Sequence, residues 1–231
     1  MIYTELTQKA IMICFQAHRD QNDKGGMPYV FHPFHIADQM DTEKETCVAL
    51  LHDLIEDTDW TLDRLTADGF PFDVLKALDL MTHNPSTPYL EYVKKLSDNP
   101  IAKKVKLADL RHNSTRGRLK RFGEKDEARL RKYLDAQAIL TGGTADPETM
   151  TLRVSRPLTD MDGKKAVLEI IYESDGRIRS FLVRTNAVQD NQDNDGTIRA
   201  SGEESFQDRI SLIKGLERRR ISAAQIPELF A

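Results

Sequence analysis

The chain has 231 residues, 39% of them hydrophobic, with 30% charged residues and a formal net charge of only −4. That is enough for one large domain, or for an ordinary domain with a smaller attachment, and two folded parts are expected. The near-neutral balance excludes a nucleic-acid coat or a membrane-surface protein at the global level, so electrostatic arguments must be local.

No apolar run is long enough to span a bilayer, and the N-terminus lacks the pattern of a secretory signal, so a cytoplasmic chain without membrane partners is expected. Cys14 and Cys47 fall within apolar helical stripes, where a thiol packs as a small hydrophobe, and neither a disulfide nor a thiolate ligand is expected. From Leu6 the apolar positions Ala10, Ile13, Cys14 and Ala17 follow at helical spacing and stop at Asp23-Lys24-Gly25-Gly26-Met27-Pro28. His32-Pro33 comes next. A residue before proline is pushed toward extended geometry and proline suits a first helical turn, which predicts His32 at the mouth of a second helix. Thr42 and Glu45 have capping-box spacing and predict a third helix running through Cys47, Val48, Leu51, Leu54 and Ile55. Helical patterns then cover about 61 to 68, 72 to 82, 88 to 97, 100 to 114 and 123 to 140, punctuated by Pro71, Pro85, Pro88 and Pro100.

Nothing strand-like appears before residue 150. Residues 141 to 149 have the composition of a linker, which bounds a first domain at 1 to 140 and a second at 150 to 231. Thr151 to Leu158, Ala166 to Tyr172 and Ile178 to Arg184 read as three strands of an antiparallel meander, separated by the turn signals Asp162-Gly163 and Asp175-Gly176. Gln189 to Gly196 is polar and low in complexity, the composition of a mobile loop. Ser201 and Glu204 again have capping-box spacing, ahead of a helical pattern at Phe206, Ile210, Ile213 and Leu216.

On the helix opened by Thr42, the positions Ala49, His52, Asp53 and Glu56 share one face beside the apolar stripe. Histidine and aspartate are mediocre residues for a helix interior, so an adjacent pair flanking a buried stripe needs a compensating interaction, which a cation supplies. The helix from Pro100 repeats the theme, with Ala102, Lys106, Asp109 and Asn113 on one face and apolar neighbours around Asp109. Asp109 is either paired with Lys106 or bound to metal, and both can hold around one site. His32, His52, Asp53 and Asp109 form a mixed nitrogen and oxygen ligand set, suited to manganese, iron, zinc or nickel rather than calcium. A cation held by four protein groups keeps open positions, where it lowers the pKa of water toward roughly 7 and polarises a phosphoryl oxygen. Phosphoester or phosphoanhydride hydrolysis is the natural use.

The ordered set His32, His52-Asp53 and Asp109 resembles the metal site of HD-type phosphohydrolases. The surrounding residues Ala17-His18, Gln21, Lys24, Gly26, Pro28-Tyr29, His32-Pro33, the block Leu50 to Thr58, Val105 to Asp109 and His112-Asn113 are similar to the hydrolase domain of RelA/SpoT-type alarmone enzymes. The similarity runs over residues 4 to 140. It implies a helical HD-type domain, and with the strand and helix patterns read beyond residue 150 the expected fold is mainly α, a helical HD-type domain followed by a small α+β unit. It also implies one manganese ion, a phosphorylated nucleotide as small-molecule partner, and removal of the 3′-pyrophosphate from guanosine tetra- or pentaphosphate. Carried over by position, Glu56 and Asp57 are the carboxylates that orient the attacking water and relay its proton, with Glu56 ranked first because it stands one turn beyond His52. Lys24 and Asn113 fall at substrate-side positions, and His18 is either a site-facing or a packing histidine.

The chain departs from the family at Asp23, where an arginine usually lies against the guanine base, and at Asp20, where a glycine is usual. A carboxylate cannot stack as a cation, so Asp23 bears on base choice rather than on metal chemistry. Residues 103 to 132 carry twelve basic against four acidic side chains. Without interleaved aromatics this reads as a solvated face or a funnel for polyphosphate rather than a nucleic-acid surface, with Arg116 as the candidate substrate contact. The alternatives are an HD-type hydrolase of another nucleotide or phosphoester, or a degenerate metal- or nucleotide-binding regulatory domain. The second domain carries no recognisable catalytic pattern, and homo-oligomerisation or regulation is its expected role by elimination.

Overall fold

The computed structural model describes residues 1–115, 123–185, 202–219 and 221–227. The chain divides into two compact units, Met1–Leu140 and Thr141–Ala231. Among the described residues, the first unit is helical: α1 (Glu5–His18), α2 (Phe31–Ala37), α3 (Glu43–Leu51), α4 (Leu54–Asp57), α5 (Leu62–Ala67), α6 (Phe72–Met81), α7 (Tyr89–Leu96), α8 (Pro100–Asn113) and α9 (Glu124–Thr141). No described helix is long and apolar enough to cross a membrane.

Helix α3 is the centre of this unit. Its residues Cys47, Val48, Ala49, Leu50 and Leu51 are all fully buried, and α1, α2, α6 and α8 pack around it. A run such as Cys47–Leu51, apolar on every side of the helix, is stable only when enclosed in this way. Its start is set locally, because the Thr42 side chain accepts the Glu45 N–H while Glu45 accepts the Thr42 N–H, satisfying two orphan donors. Helix α8 starts on Asn99, whose side chain accepts the Ala102 N–H, with Pro100 in the first turn where its missing donor costs nothing.

Two local expectations change in this unit. The helix opened by Thr42 does not run unbroken to Ile55: it stops at Leu51, and α4 begins after Asp53, whose backbone sits at φ −100° and ψ 0°. The cause is local. The His52 ring Nδ1 bonds the Ala49 carbonyl at 2.8 Å, competing for the acceptor that the Asp53 N–H would use in a continued helix. Asp53 and Glu56 therefore do not extend the single face inferred from unbroken helical spacing. His32 is helical rather than extended despite preceding Pro33, because its N–H bonds the Tyr29 carbonyl at 2.8 Å and Pro33 falls in the first turn.

Among its described residues the second unit is a five-stranded antiparallel sheet in the order β1-β2-β3-β4-β5, comprising β1 (Thr144–Asp146), β2 (Thr151–Thr159), β3 (Lys165–Glu173), β4 (Ile178–Thr185) and β5 (Gly202–Phe206), followed by α10 (Arg209–Arg218). One face of the three central strands, with Leu152, Val154, Leu168, Ile170, Phe181 and Val183, is buried, as the period of two requires. Gly215 lets α10 approach β5, since a Cβ there would collide with the Phe206 ring. Residues 144–146 pair with β2 instead of acting as linker. Asp146 Oδ1 accepts the Glu148 and Thr149 N–H groups and shapes the turn that closes this hairpin. The box read at Ser201 and Glu204 is also replaced: Gly202–Phe206 is the edge strand β5, and Asp208 caps α10 by accepting the Ser211 N–H at 2.8 Å. Ser201 itself and the Gln189 to Gly196 loop lie outside the described residues.

Candidate functional site

The site lies in the first unit, where the first turn of α2, the junction between α3 and α4, and the last turns of α8 meet. His32, His52 and Asp109 are buried and present one ligand atom each within 4.8 Å of one another. His32 Nε2 is 3.2 Å from Asp109 Oδ1 and 3.7 Å from Asp53 Oδ2. His52 Nε2 is 2.9 Å from Asp53 Oδ2 and 3.9 Å from Asp109 Oδ1. Three of the four expected ligands thus form one close group, and Asp53, more exposed, lies within 3.7 Å of both histidine Nε2 atoms.

The histidines are set before any cation arrives. In the neutral ring, the His52 bond to the Ala49 carbonyl puts the proton on Nδ1 and leaves Nε2 with a lone pair. That buried Nε2 makes no well-aligned hydrogen bond, although Asp53 Oδ2 lies 2.9 Å away. A buried polar atom left in this state is costly unless something is meant to meet it. His32 likewise turns Nε2 to the carboxylates while its Nδ1 pairs with His112 Nδ1 at 2.7 Å. Two imidazole nitrogens and two carboxylates around one point fit a divalent cation.

Charges around the point are arranged to match. Asp109 uses Oδ2 for the buried Lys106 ammonium at 2.9 Å and Oδ1 for Asn113 Nδ2 at 2.5 Å and for His32. The ion pair and the ligand position therefore coexist. Burial alone would raise the Asp109 pKa, but Lys106 and the two histidines hold it well below the usual carboxylate range. Burial lowers the His32 pKa, and the pull of Asp109 and Asp53 does not overcome it. Burial also opposes charge on His52, yet Asp53 beside it prevails and raises that pKa to about 9. Tyr29, between the His18 and His32 rings, donates its hydroxyl to Asp53 Oδ2.

A cavity of about 640 Å³ opens over the cluster and is lined by Gln21 to Gly25, Tyr29, His32, Asp57, Asn113, Thr115, Arg129 and Tyr133. Lys24 is exposed on its wall. Asp57 lines it, and burial followed by repulsion from Asp53 raises the Asp57 pKa. Glu56 does not line it: its Oε1 accepts the His83 backbone N–H, and burial and Asp53 raise its pKa against that bond. His18 is buried beneath the wall, where its Nδ1 meets Gln21 Oε1 at 2.8 Å while Gln21 Nε2 donates to the Asp57 carbonyl at 3.0 Å. Asp23 is where the sequence expectation needs most correction. Its Oδ1 accepts the Gly25 and Met27 N–H groups at 2.8 and 2.9 Å, so this carboxylate is a loop-holding group before it is a base-recognition group. Arg116 lies outside the described residues.

Sequence reasoning missed Tyr29, His112, Arg129 and Tyr133 as parts of the site. Arg129 and Tyr133, four residues apart on α9, were legible only as members of a basic and amphipathic helix. Tyr29 and His112 fall within the resembling motifs but carry no role there, because their roles depend on partners far away in the chain.

No protein-family model matches the chain. A human guanosine-3′,5′-bis(diphosphate) 3′-pyrophosphohydrolase, MESH1, is 36% identical over 110 residues, covering 42% of this chain and 60% of the relative. A GTP pyrophosphokinase of Streptomyces antibioticus is 33% identical over 147 residues, 58% of this chain and 17% of that protein. The GTP pyrophosphokinase rsh of Brucella melitensis is 28% identical across 97% of this chain and 32% of its own length. The chain thus spans between 17% and 60% of the length of these three relatives. Among solved structures, a metazoan ortholog of SpoT, described as hydrolysing ppGpp and as acting in starvation responses, superposes with a TM-score of 0.51 at 22% identity. That match covers 64% of this chain and 92% of the other and shows a shared fold. By these comparisons the chain is similar to MESH1 and to GTP pyrophosphokinases of the RelA/SpoT kind.

Proposed function

We propose that the chain is a metal-dependent phosphohydrolase that removes the 3′-pyrophosphate from guanosine tetra- or pentaphosphate. The observation that carries it is the convergence of the buried His32, His52 and Asp109, with Asp53 2.9 Å from His52 Nε2, beside the cavity that His32 lines. The likeness to MESH1 supports the substrate class.

In this reading His32, His52, Asp53 and Asp109 hold one divalent ion, manganese by preference. Such an ion polarises a phosphoryl oxygen and lowers the pKa of a water. The protein's own groups do the rest. Lys24 and Arg129 place positive charge on the cavity wall for the phosphates. Asn113 is oriented by its bond to Asp109. Asp57 lines the cavity and has a raised pKa, which favours it as the group that takes the proton of the attacking water. Glu56, tied to the His83 backbone, is assigned to positioning, reversing the order expected from helical spacing.

One observation favours a second reading, hydrolysis of another nucleotide. Asp23 stands where the family usually carries an arginine, and it is engaged with its own loop. Incubating the protein and Mn²⁺ with a panel of phosphorylated nucleotides, scored for pyrophosphate against phosphate release, tests both readings. Pyrophosphate released from guanosine tetraphosphate is the expected result. Turnover of other nucleotides alone transfers the assignment to the second reading, and no turnover of any, with metal bound, refutes both.

A further inference from the structure

His112 sits at the end of α8, edge to edge with the His32 imidazole and stacked on that of His35. Its ring lies 4.9 Å from the His32 ring at an interplanar angle of 9°, and 4.1 Å from the His35 ring at 29°. The His32 and His112 Nδ1 atoms are 2.7 Å apart. Two imidazole nitrogens at that distance share one proton, so one ring donates and the other accepts.

The rest of the site decides which. His32 Nε2 faces Asp109 and Asp53, and for it to coordinate a cation its lone pair must be free, which puts the neutral ring's proton on Nδ1. His32 is then the donor, and His112 must keep Nδ1 unprotonated and carry its own proton on Nε2. His52 satisfies the same requirement by a different device, the Ala49 carbonyl. Histidine ligands generally need such a partner, and a carboxylate often serves. Here a third carboxylate would add negative charge to a buried cluster already holding Asp53 and Asp109, at a desolvation cost that a neutral imidazole avoids.

We propose that His112 is a positioning residue for His32: its Nδ1 accepts the His32 Nδ1–H, selects the tautomer whose Nε2 faces the cation, and holds the ring plane with His35 stacked behind. The inference rests on the reading of His32 as a metal ligand. Two replacements separate accepting from packing. Asparagine can put its Oδ1 near the position of Nδ1 and still accept, while phenylalanine keeps a ring stacked on His35 and cannot accept.

Calorimetric titration with Mn²⁺ is the first measurement, on protein whose fold is checked by circular dichroism. His112→Phe is expected to weaken binding by about 10- to 100-fold, the range for losing such a partner, and His112→Asn to recover most of it. The second measurement needs no variant to fold: nitrogen-15 NMR of wild-type imidazoles, with and without Zn²⁺, should give Nδ1–H for His32 and Nε2–H for His112. Equal affinity in wild type and His112→Phe, equal loss in both variants, or the opposite tautomers would each overturn the proposal. Wild-type protein that binds no Mn²⁺, or His32→Ala that binds it unimpaired, would instead remove the metal reading and the inference with it.

Discussion

Raising the pH from 6.5 to 8.5 is expected to tighten Mn²⁺ binding about 100-fold, and the reason is one proton on His52. Burial favours the neutral ring, but Asp53 at 2.9 Å and Asp109 raise its pKa to about 9 in the metal-free site. A cation can use Nε2 only after that proton leaves. At pH 7 the ring is about two units below its pKa, so only about 1% of sites are ready, and each pH unit recovers about tenfold until the pKa is reached. His32 contributes no such step because its pKa is lowered, and Asp53 and Asp109 are already ionised. Binding at pH 7 should therefore release one proton and not two. Calorimetry in buffers of different ionisation enthalpy counts it directly. Asp53→Asn, which removes the nearest carboxylate, should bring the count well below one. The sign carries over to stability. A folded-state pKa above the ordinary 6.5 means the protonated ring stabilises metal-free protein fully below that value, and the contribution is lost as pH rises through about 9. The melting temperature in chelator should fall across that window. Metal affinity independent of pH, or release of no proton, would refute the reasoning.

Asp53→Ala should abolish both metal binding and turnover, as seen by metal analysis beside the nucleotide assay. Asp57→Asn should keep the metal but slow turnover by about 10² to 10⁴, the usual worth of a general base, whereas normal turnover would return that role to Glu56. At the loop, Asp23→Asn keeps the acceptor for the Gly25 and Met27 N–H groups and should leave KM nearly unchanged. Asp23→Arg loses it at a cost of about 1 to 3 kcal/mol and should raise KM, so a lower KM would show that the arginine's charge outweighs the loop. Gly215→Ala should destabilise the second unit by about 1 to 3 kcal/mol through collision with the Phe206 ring, read from thermal unfolding with metal binding unchanged.

Much of the first unit was legible because its signals are local. The box at Thr42 and Glu45, the proline at Pro100 and the enclosed apolar run of α3 act within a few residues, and there the expected and observed helix starts coincide. The strands β2, β3 and β4 showed their alternation for the same reason and differ from expectation by about one residue at an end. The short edge strands β1 and β5 did not: three and five residues carry too little pattern, and they are strands because β2 and β4 offer them partners.

Within the site, sequence alone was enough to nominate His32, His52, Asp53 and Asp109, since a metal-ligating residue type in an apolar setting is conspicuous wherever it falls. What each does next depended on groups that no spacing rule relates. His32 meets His112 across 80 positions and Asp53 meets Tyr29 across 24. The order of Glu56 and Asp57 toward the cavity turned on a helix break that one imidazole causes by bonding the Ala49 carbonyl. Periodicity describes a face of an uninterrupted helix, whereas a side chain that takes a backbone acceptor ends the helix and redirects everything after it. For that reason the candidate ligand types could be read from the chain, while their hydrogen-bond partners, the loop duty of Asp23 and the cavity wall came only with the packed structure.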